Sequence, residues 1–393
     1  MIPKYIYKLF YLEKYNVSIG RFILLKIYKN YYNINFVFDN ITISYQKASV
    51  FIDKCRNGTL EKNHILSNNP KISAIIPVYN ARNYILRALR SIQNQNMEDI
   101  EIILVDDYSK DNSLAYIEEL QREDPRIKII KNQKNMGSLY SRSIGALSAK
   151  GKYIFSLDND DMFLDYDIFT TIYNIIEKDG FDILEFKGIR IGNDFNSNRI
   201  GEAYFSHHNN FIFFQPELGR FPMNISYDKN FLGLQDNYLW NKCIKTNIYQ
   251  KALKLFGEKR YKRYMTMHED FIMVVILFNV ADSFRYIQKY GYLNIIRFGS
   301  SASIHVDIKL FEMYIIDAAL DFSKNSFENK KSISQFMLFL INRPNFRDTL
   351  NNSEDHKKLF VSILDRIYSC KYITKEDKEQ IKKNITNYNY LNN

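Results

Sequence analysis

Residues 150–163 read KGKYIFSLDNDDMF. Gly151 offers a turn, and Tyr153 to Leu157 form a short aromatic and aliphatic run of the kind that makes a buried strand. The run stops at Asp158, and Asp158, Asn159, Asp160 and Asp161 follow at once. Carboxylates at the carboxyl end of a buried strand sit where open α/β sheets place their ligands. Three acids within four residues repel one another unless a cation or a solvated turn relieves them. A hard divalent cation with oxygen ligands, its shell completed by a substrate phosphate, would do so. The alternative is a solvated turn that caps the next helix.

Upstream of this stretch the pattern is regular from Lys71. Ile72 to Val78 is an apolar run that passes through Pro77 into Tyr79 and Asn80. Tyr84 to Gln95 has helical spacing, and Glu101 to Val105 is a second strand, stopped by Asp106 and Asp107. Ser113 to Arg122 is a helix with Asp111 as its N-cap, Ile127 to Ile130 a third strand, and Ser138 to Ala149 a third helix. Downstream, Ile168 to Lys178 predicts a helix and Phe181 to Phe186 a strand. This alternation implies a parallel sheet with helices on both faces and right-handed crossovers. Beyond Lys187 it weakens. Residues 190 to 235 are irregular, Asn241 to Phe256 and Asp270 to Val280 read as helices, Tyr290 to Phe298 as a strand, and the chain from Val306 onward as helical.

The division that follows is an N-terminal extension over 1–70, an α/β domain over 71–300 and a helical C-terminal region over 301–393. Within the extension, stretches such as FILLKIYKNYY mix apolar and basic residues. No run reaches the roughly 18 uncharged apolar residues of a membrane span, and Lys4, Lys8, Glu13 and Lys14 break any signal-peptide pattern. A lobe packed on the main domain and a basic amphipathic segment with peripheral membrane contact both remain open. Hydrophobic residues make up 46 % of the 393, enough for a sizeable core. The formal charge of +10 suits an anionic membrane surface or a phosphorylated substrate. Nucleic acid is disfavoured, since there is neither a basic low-complexity tail nor zinc-finger spacing. Cys55, Cys243 and Cys370 are far apart and form no disulfide or metal-spaced set, which points to reduced thiols and a cytoplasmic setting.

Two acid clusters thus fall at the ends of two parallel strands, Asp106-Asp107 and Asp158 to Asp161. Between them Gly137 permits a tight turn into a helix and Gly145 lets that helix approach the sheet. Arg142, near the helix start, could reach a base or phosphate. Three blocks in this order, ISAIIPVYNARNYILRALRSIQNQ, EIILVDDYSKDNS and NMGSLYSRSIGALSAKGKYIFSLDNDD, resemble the family 2 glycosyltransferases of GT-A fold. Weaker likeness continues through NYLWNKCIKTNIY, MHEDF and IIRFGSSAS.

The resemblance implies a GT-A, Rossmann-like, mostly parallel sheet flanked by helices. It also implies an enzyme that moves a sugar from a nucleotide-diphosphate donor, a UDP-sugar, to an acceptor hydroxyl with inversion. Pro77 and Tyr79 would lie in the loop after the first strand, beside the nucleotide. Asp107 would bond the base, with Asp106 beside it. Asp158 and Asp160 match the D-x-D pair, Asp160 being the direct ligand of Mn²⁺ or Mg²⁺. Asp270 matches the catalytic base, and Glu269 and Trp240 fall on the acceptor side. His268, Arg297 and Ser300 are further candidates near the chemistry. The acceptor would be a carbohydrate, a lipid-linked glycan or a protein. Physical logic fits each role, since a poor hydroxyl nucleophile needs a carboxylate base and a leaving diphosphate needs a Lewis acid. A helix N-terminus at Asp270 would favour its ionised form.

The chain departs from the pattern at Tyr108, where Gly is common, and at Ser141 and Ser143, where Ala and Asn are common. A nucleotidyltransferase would want a Gly- and Lys-rich loop after the first strand, which IPVYNARNY lacks. A non-catalytic sugar-nucleotide binder is the other alternative.

Overall fold

The computed structural model describes residues 36–38, 41–43, 45–60, 64–192, 211–214, 238–266, 269–296, 308–322, 334, 337–338, 340–342 and 346–387. In chain order, β1 (Phe36–Phe38) and β2 (Ile41–Ile43) pair antiparallel ahead of helix α1 (Tyr45–Arg56). The alternating region runs β3 (Ile72–Val78), α2 (Ile85–Gln93), β4 (Ile100–Asp106), α3 (Ser113–Glu123), β5 (Ile127–Lys131), α4 (Ser138–Ser148), β6 (Tyr153–Ser156), β7 (Met162–Phe163), α5 (Ile168–Asp179) and β8 (Ile183–Gly192). Then come β9 (Phe211–Phe214), β10 (Lys242–Lys245), α6 (Thr246–Phe256), α7 (Glu258–Tyr261), α8 (Glu269–Val280) and β11 (Ser283–Ile296). Helices α9 (Ile308–Phe322), α10 (Phe346–Asn351), α11 (Glu354–Ser369) and α12 (Lys375–Asn387) follow.

β3 and β4 are buried at every residue, as expected of central strands covered on both faces. With β5 and β6 they form the parallel half of one sheet, in the order β5-β4-β3-β6. Ile75, Ile103 and Val105 pack to one side with α4, α6 and α8; Ile76, Ile102 and Leu104 pack to the other with α2 and α5. Gly145 of α4 lies so close to the sheet that a Cβ there would come within 2.6 Å of Ile75 Cγ2.

The second half of the sheet is mixed, continuing β10-β8-β11-β7 with β9 also on β11. β10 is antiparallel to β6 and to β8, and β8 is parallel to β11. The expectation of one helix over 241–256 is therefore corrected: its first residues form β10 and the helix begins at Thr246. Cys243 and Ile244 point to opposite cores, and buried Lys242 pairs with buried Glu185 at 2.8 Å. Four residues are too few to show a strand period against a helical one that follows.

Pro77 was expected in a loop but is the penultimate residue of β3, buried and in register with Val105. Its carbonyl accepts a hydrogen bond from Asn159 Nδ2 at 2.9 Å. The direction in which its N–H is missing thus lies past the last residue of β6 paired to β3, where no ladder bond is lost. Asp111 does serve α3: its Oδ1 accepts from Ser113 N at 3.1 Å, although Asn112, with φ 63°, intervenes.

Part of the N-terminal extension packs on the domain. Phe51 and Cys55 of α1 share a cluster with Met162, Leu164, Tyr290, Leu293 and Ile295. Residues 57–60 continue along the domain through bonds such as Arg90 Nε to Gly58 O and Asn94 Nδ2 to Thr59 O, and Ser67 Oγ donates to Asp99 Oδ1 at 3.1 Å. Among the described residues no helix is long and apolar enough to cross a membrane. Among the described residues the C-terminal region is helical as expected, around a core that includes Met313, Ile316, Phe360 and Ile363.

Candidate active site

The carboxyl ends of β3, β4 and β6 and the N-termini of α4 and α8 converge on one edge of the sheet. Arg142, in the second turn of α4, joins them. Its Nη2 binds Asp158, and its Nη1 lies 2.5 Å from Glu269 Oε1 and 3.2 Å from Asp270 Oδ1. Arg142 is 5 % exposed. Beside the expectation that it reaches a base or phosphate, the structure gives it another part: it balances three carboxylates, one beyond β6 and two on α8. Its Nε is buried without a hydrogen-bond partner.

The D-x-D turn is pinned from several sides. Leu157 N donates to Ile75 O, and Arg87 Nη2 donates to Asp160 O at 2.6 Å. Asp161, the third acid of the run, is buried and spent: it accepts from Tyr292 Oη and Asn294 Nδ2, each at 2.8 Å, and from Ile295 N at 2.7 Å. Burial, then the charges of Asp160 and Asp158, hold its carboxyl well above the usual carboxylate range. β11 thus supplies hydrogen-bond donors to both oxygens of this third acid. Asp158 and Asp160 remain half-buried at the rim. Burial raises Asp158 first; Arg142 opposes this, and Asp160 and Glu269 add to it. Two half-buried carboxylates that repel each other, one with a single oxygen committed to Arg142, fit a divalent cation completed by substrate phosphate. Among the described residues no three His, Cys, Asp or Glu side chains form a metal cage by themselves.

Asp270 begins α8 beside Glu269. The helix N-terminus was expected to keep it ionised. Instead burial, opposed by Arg142 and reinforced by Glu269 and Asp158, pushes its carboxyl up to about 7. The like charges and lost solvation outweigh the helix field. Leu239 N donates to its Oδ2 at 3.3 Å, while Oδ1 is buried without a hydrogen bond. Glu269 accepts from Ser138 Oγ at 2.5 Å as well as from Arg142.

At the end of β4, Asp107 is buried and holds the turn into α4. It accepts from Asn132 Nδ2, Met136 N and Gly137 N, all at 2.8 Å. Gly137 has φ 85°, and a Cβ on it would come within 2.5 Å of Met265 O. Asp106 accepts from Ser109 N, and its Oδ1 is buried without a hydrogen bond. Tyr79 and Tyr108 are each 44 % exposed on the loops that follow β3 and β4. Tyr108, where the family commonly has Gly, has φ 65°. Its position demands the left-handed conformation that explains the common Gly.

Trp240 is buried at 4 %, stacked on Tyr238 and on Tyr292 with ring centroids 4.9 and 4.4 Å away. It packs against Gly188, where a Cβ would come within 2.3 Å of its ring. This placement makes it a wall behind the D-x-D turn, through Tyr292, rather than an exposed sugar platform. His268, Arg297 and Ser300 lie outside the described residues. Tyr292 and Asn294 escaped the sequence reading: β11 pairs out of sequence order, so no local motif marks them.

Residues 73–235 match the sequence profile described as Glycosyl transferase family 2. An uncharacterized glycosyltransferase of Haemophilus influenzae is 42 % identical over 97 residues, covering 25 % of this chain and 30 % of that one. A GalNAc(5)-diNAcBac-PP-undecaprenol beta-1,3-glucosyltransferase of Campylobacter jejuni is 34 % identical over 132 residues, covering 30 % and 43 %. The matches thus span less than half the length of these curated relatives. In structure, S. aureus TarS 1–349 in complex with UDP is similar over 80 % of this chain and 87 % of that one, with a TM-score of 0.54 and 15 % identity. That likeness shows the GT-A fold. Over residues 73–235 the chain is thus similar to glycosyl transferase family 2.

Proposed function

We propose that the chain transfers a sugar from a nucleoside-diphosphate donor, a UDP-sugar, to an acceptor hydroxyl with inversion at the anomeric carbon. The observation that carries this is the shared Arg142: it brings the D-x-D carboxylate Asp158 and the α8 carboxylate Asp270 to one point. UDP is favoured because TarS, similar in fold, is described with UDP and with UDP-GlcNAc. Tyr79, Tyr108, Asp106 and Asp107 would flank the nucleotide. Asp160, with Asp158, would hold Mn²⁺ or Mg²⁺, which when bound supplies a Lewis acid for the leaving diphosphate.

Asp270 takes the proton of the acceptor hydroxyl as that oxygen bonds to the anomeric carbon. The bond from that carbon to the diphosphate oxygen breaks, and the nucleoside diphosphate leaves. A single displacement inverts the carbon and needs no protein nucleophile. Arg142 holds Asp270 and Asp158 around one guanidinium and orients both. Glu269, held by Ser138 and Arg142, supports the same arrangement from the acceptor side. In this reading residues 71–300 form the catalytic domain, with 1–70 an extension and 301–393 a helical region. The acceptor is a carbohydrate, a lipid-linked glycan or a protein, and action on the cytosolic side follows from where nucleotide sugars are used.

The test is a screen of nucleotide sugars with Mn²⁺, read as release of free nucleoside diphosphate. One donor should be turned over by the wild-type chain, and turnover should vanish with EDTA and in Asp160→Ala. Turnover that survives both would overturn the metal assignment. Binding of a donor without any turnover, across a panel of acceptors, would favour a non-catalytic sugar-nucleotide binder.

A further inference from the structure

α9 belongs to two packing layers. Its Ala318 sits in the core under the sheet with Ile276 of α8, while Met313, Ile316 and Ala319 sit in the core of the C-terminal helices. At the junction two acids of α9 meet three arginines. Asp317, with a side chain 6 % exposed, accepts from Arg263 Nη1 at 2.7 Å and from Arg366 Nη1 at 2.6 Å. Asp321 binds Nη2 of both Arg260 and Arg366. Arg366 Nη2 also donates to Asp317 O at 2.8 Å, and the Arg263 guanidinium lies 4.9 Å from the Tyr314 ring centroid. Asp317 is enclosed and its arginine partners are partly buried, and charge-assisted bonds of this kind are short and oriented and tie together the segments bearing them.

Arg260 and Arg263 lead directly into a segment that ends at the candidate active site. Met265 O accepts from Ser138 Oγ at 3.2 Å and from Leu139 N at 3.3 Å, and Gly137 leaves room for that close approach. Between the arginines and Met265 stands Tyr264, 59 % exposed. Its neighbour Met265 meets Ser138 and Leu139 next to Gly137, whose N donates to Asp107, which sets Tyr264 on the side of the nucleotide site; partial burial first, then Tyr79 and Asp107, raise its phenol. An aromatic ring left this open on a segment fixed at both ends has a face to offer a ligand.

We propose that the five-residue clamp of Arg260, Arg263, Arg366, Asp317 and Asp321 is a positioning device for the nucleotide site. It fixes residues 262–266 so that Tyr264 closes over the nucleotide opposite Tyr79 and Met265 steadies the start of α4. The inference rests on the reading of this edge as a nucleotide-sugar site. It makes the C-terminal helices part of donor recognition, although none of the five clamp residues lies on that edge.

The test uses the full chain, with UDP and Mn²⁺ titrated by calorimetry into wild type, Arg366→Gln, Tyr264→Ala and the double variant. Hydrogen exchange is followed in parallel. Each single variant should bind UDP about tenfold more weakly, the scale of a substitution in a coupled network. The double variant should be no weaker than about that, because both act through one contact. Amides of 262–266 should exchange faster in Arg366→Gln, while those of β3 and β4 stay protected. Wild-type affinity in Arg366→Gln, fully multiplying losses, or exchange that rises throughout the sheet would each overturn the clamp's role. A wild-type chain with no affinity for UDP would instead overturn the nucleotide-site reading, and this inference with it.

Discussion

The carboxylate of Asp270 at the start of α8 stands 3.2 Å from the guanidinium of Arg142 on α4, and the same guanidinium binds Asp158 at the end of β6. One buried cation therefore links the group that would take the acceptor proton to the group that would meet the donor diphosphate. Three carboxylates around a single arginine leave a net negative pocket. Such a pocket is balanced in part by the buried Arg142 and would be balanced further by the divalent cation that Asp158 and Asp160 would hold.

The position of Asp270 near 7 makes a pH prediction. A base works in its ionised form, and Asp270, pushed up to about 7, is protonated below that and ionised above it. The acid limb of kcat/KM, which reports the free enzyme, should therefore bend near pH 7 rather than near 4. The same shift costs stability. From the ordinary value of 3.8 up to about 7 the unfolded chain loses this proton while the folded chain retains it, so the contribution of Asp270 to stability falls across that window. A pH–rate profile with a flat acid side down to pH 5 would contradict the assignment.

Arg142→Met should act on both ends of the pocket. Removing one partner of a buried ion pair leaves charge uncompensated, at a cost of about 3–5 kcal/mol. Arg142 is the attraction that holds Asp270 down, so its loss should move the acid limb of the profile upward. Chemical denaturation and the pH–rate profile of the surviving folded fraction check both. A variant as stable as wild type would mean that the three carboxylates do not depend on Arg142.

Truncation of residues 1–60 should harm the α/β domain. Phe51 and Cys55 cover Met162 and Leu164, which flank Asp161 of the D-x-D turn. Losing α1 exposes that cluster beside the candidate metal site, so the truncated chain should aggregate or show weakened Mn²⁺-dependent nucleotide binding. Light scattering and calorimetry measure these. A monodisperse, fully active truncation that has lost only vesicle binding would make the extension a membrane element instead.

Much of this arrangement was legible in the sequence, for identifiable reasons. β3, β4 and β6 are continuous apolar runs that end abruptly in polar residues, so both their burial and their carboxyl ends could be read directly. Asp158, Asp160 and Asp270 stood out because acids seldom sit next to such runs without a partner. What escaped reading depends on contacts between distant segments. The carboxylate partners of Arg142 come from beyond β6 and from α8, so no local pattern shows them. Asp161 could be read only as one of three repelling acids, whereas β11 satisfies it through Tyr292, Asn294 and Ile295. Trp240 was expected on the acceptor side, and only the pairing of β8 with β10 and β11 shows it enclosed against Gly188. The ionisation of Asp270 was misjudged because a helix N-terminus is visible in sequence, whereas the crowding of Glu269 and Asp158 around it is not.

The most direct measurement is made on Asp270→Asn, with nucleotide affinity and sugar transfer determined on the same preparation. The substitution keeps the shape and leaves Asp158, Asp160 and the nucleotide loops in place. UDP with Mn²⁺ should bind within a few-fold of wild type while transfer falls by roughly 10²-fold or more, the scale of a lost general base. Equal loss of binding and rate would make Asp270 a structural partner of Arg142, and near-normal transfer would contradict its assignment as the base.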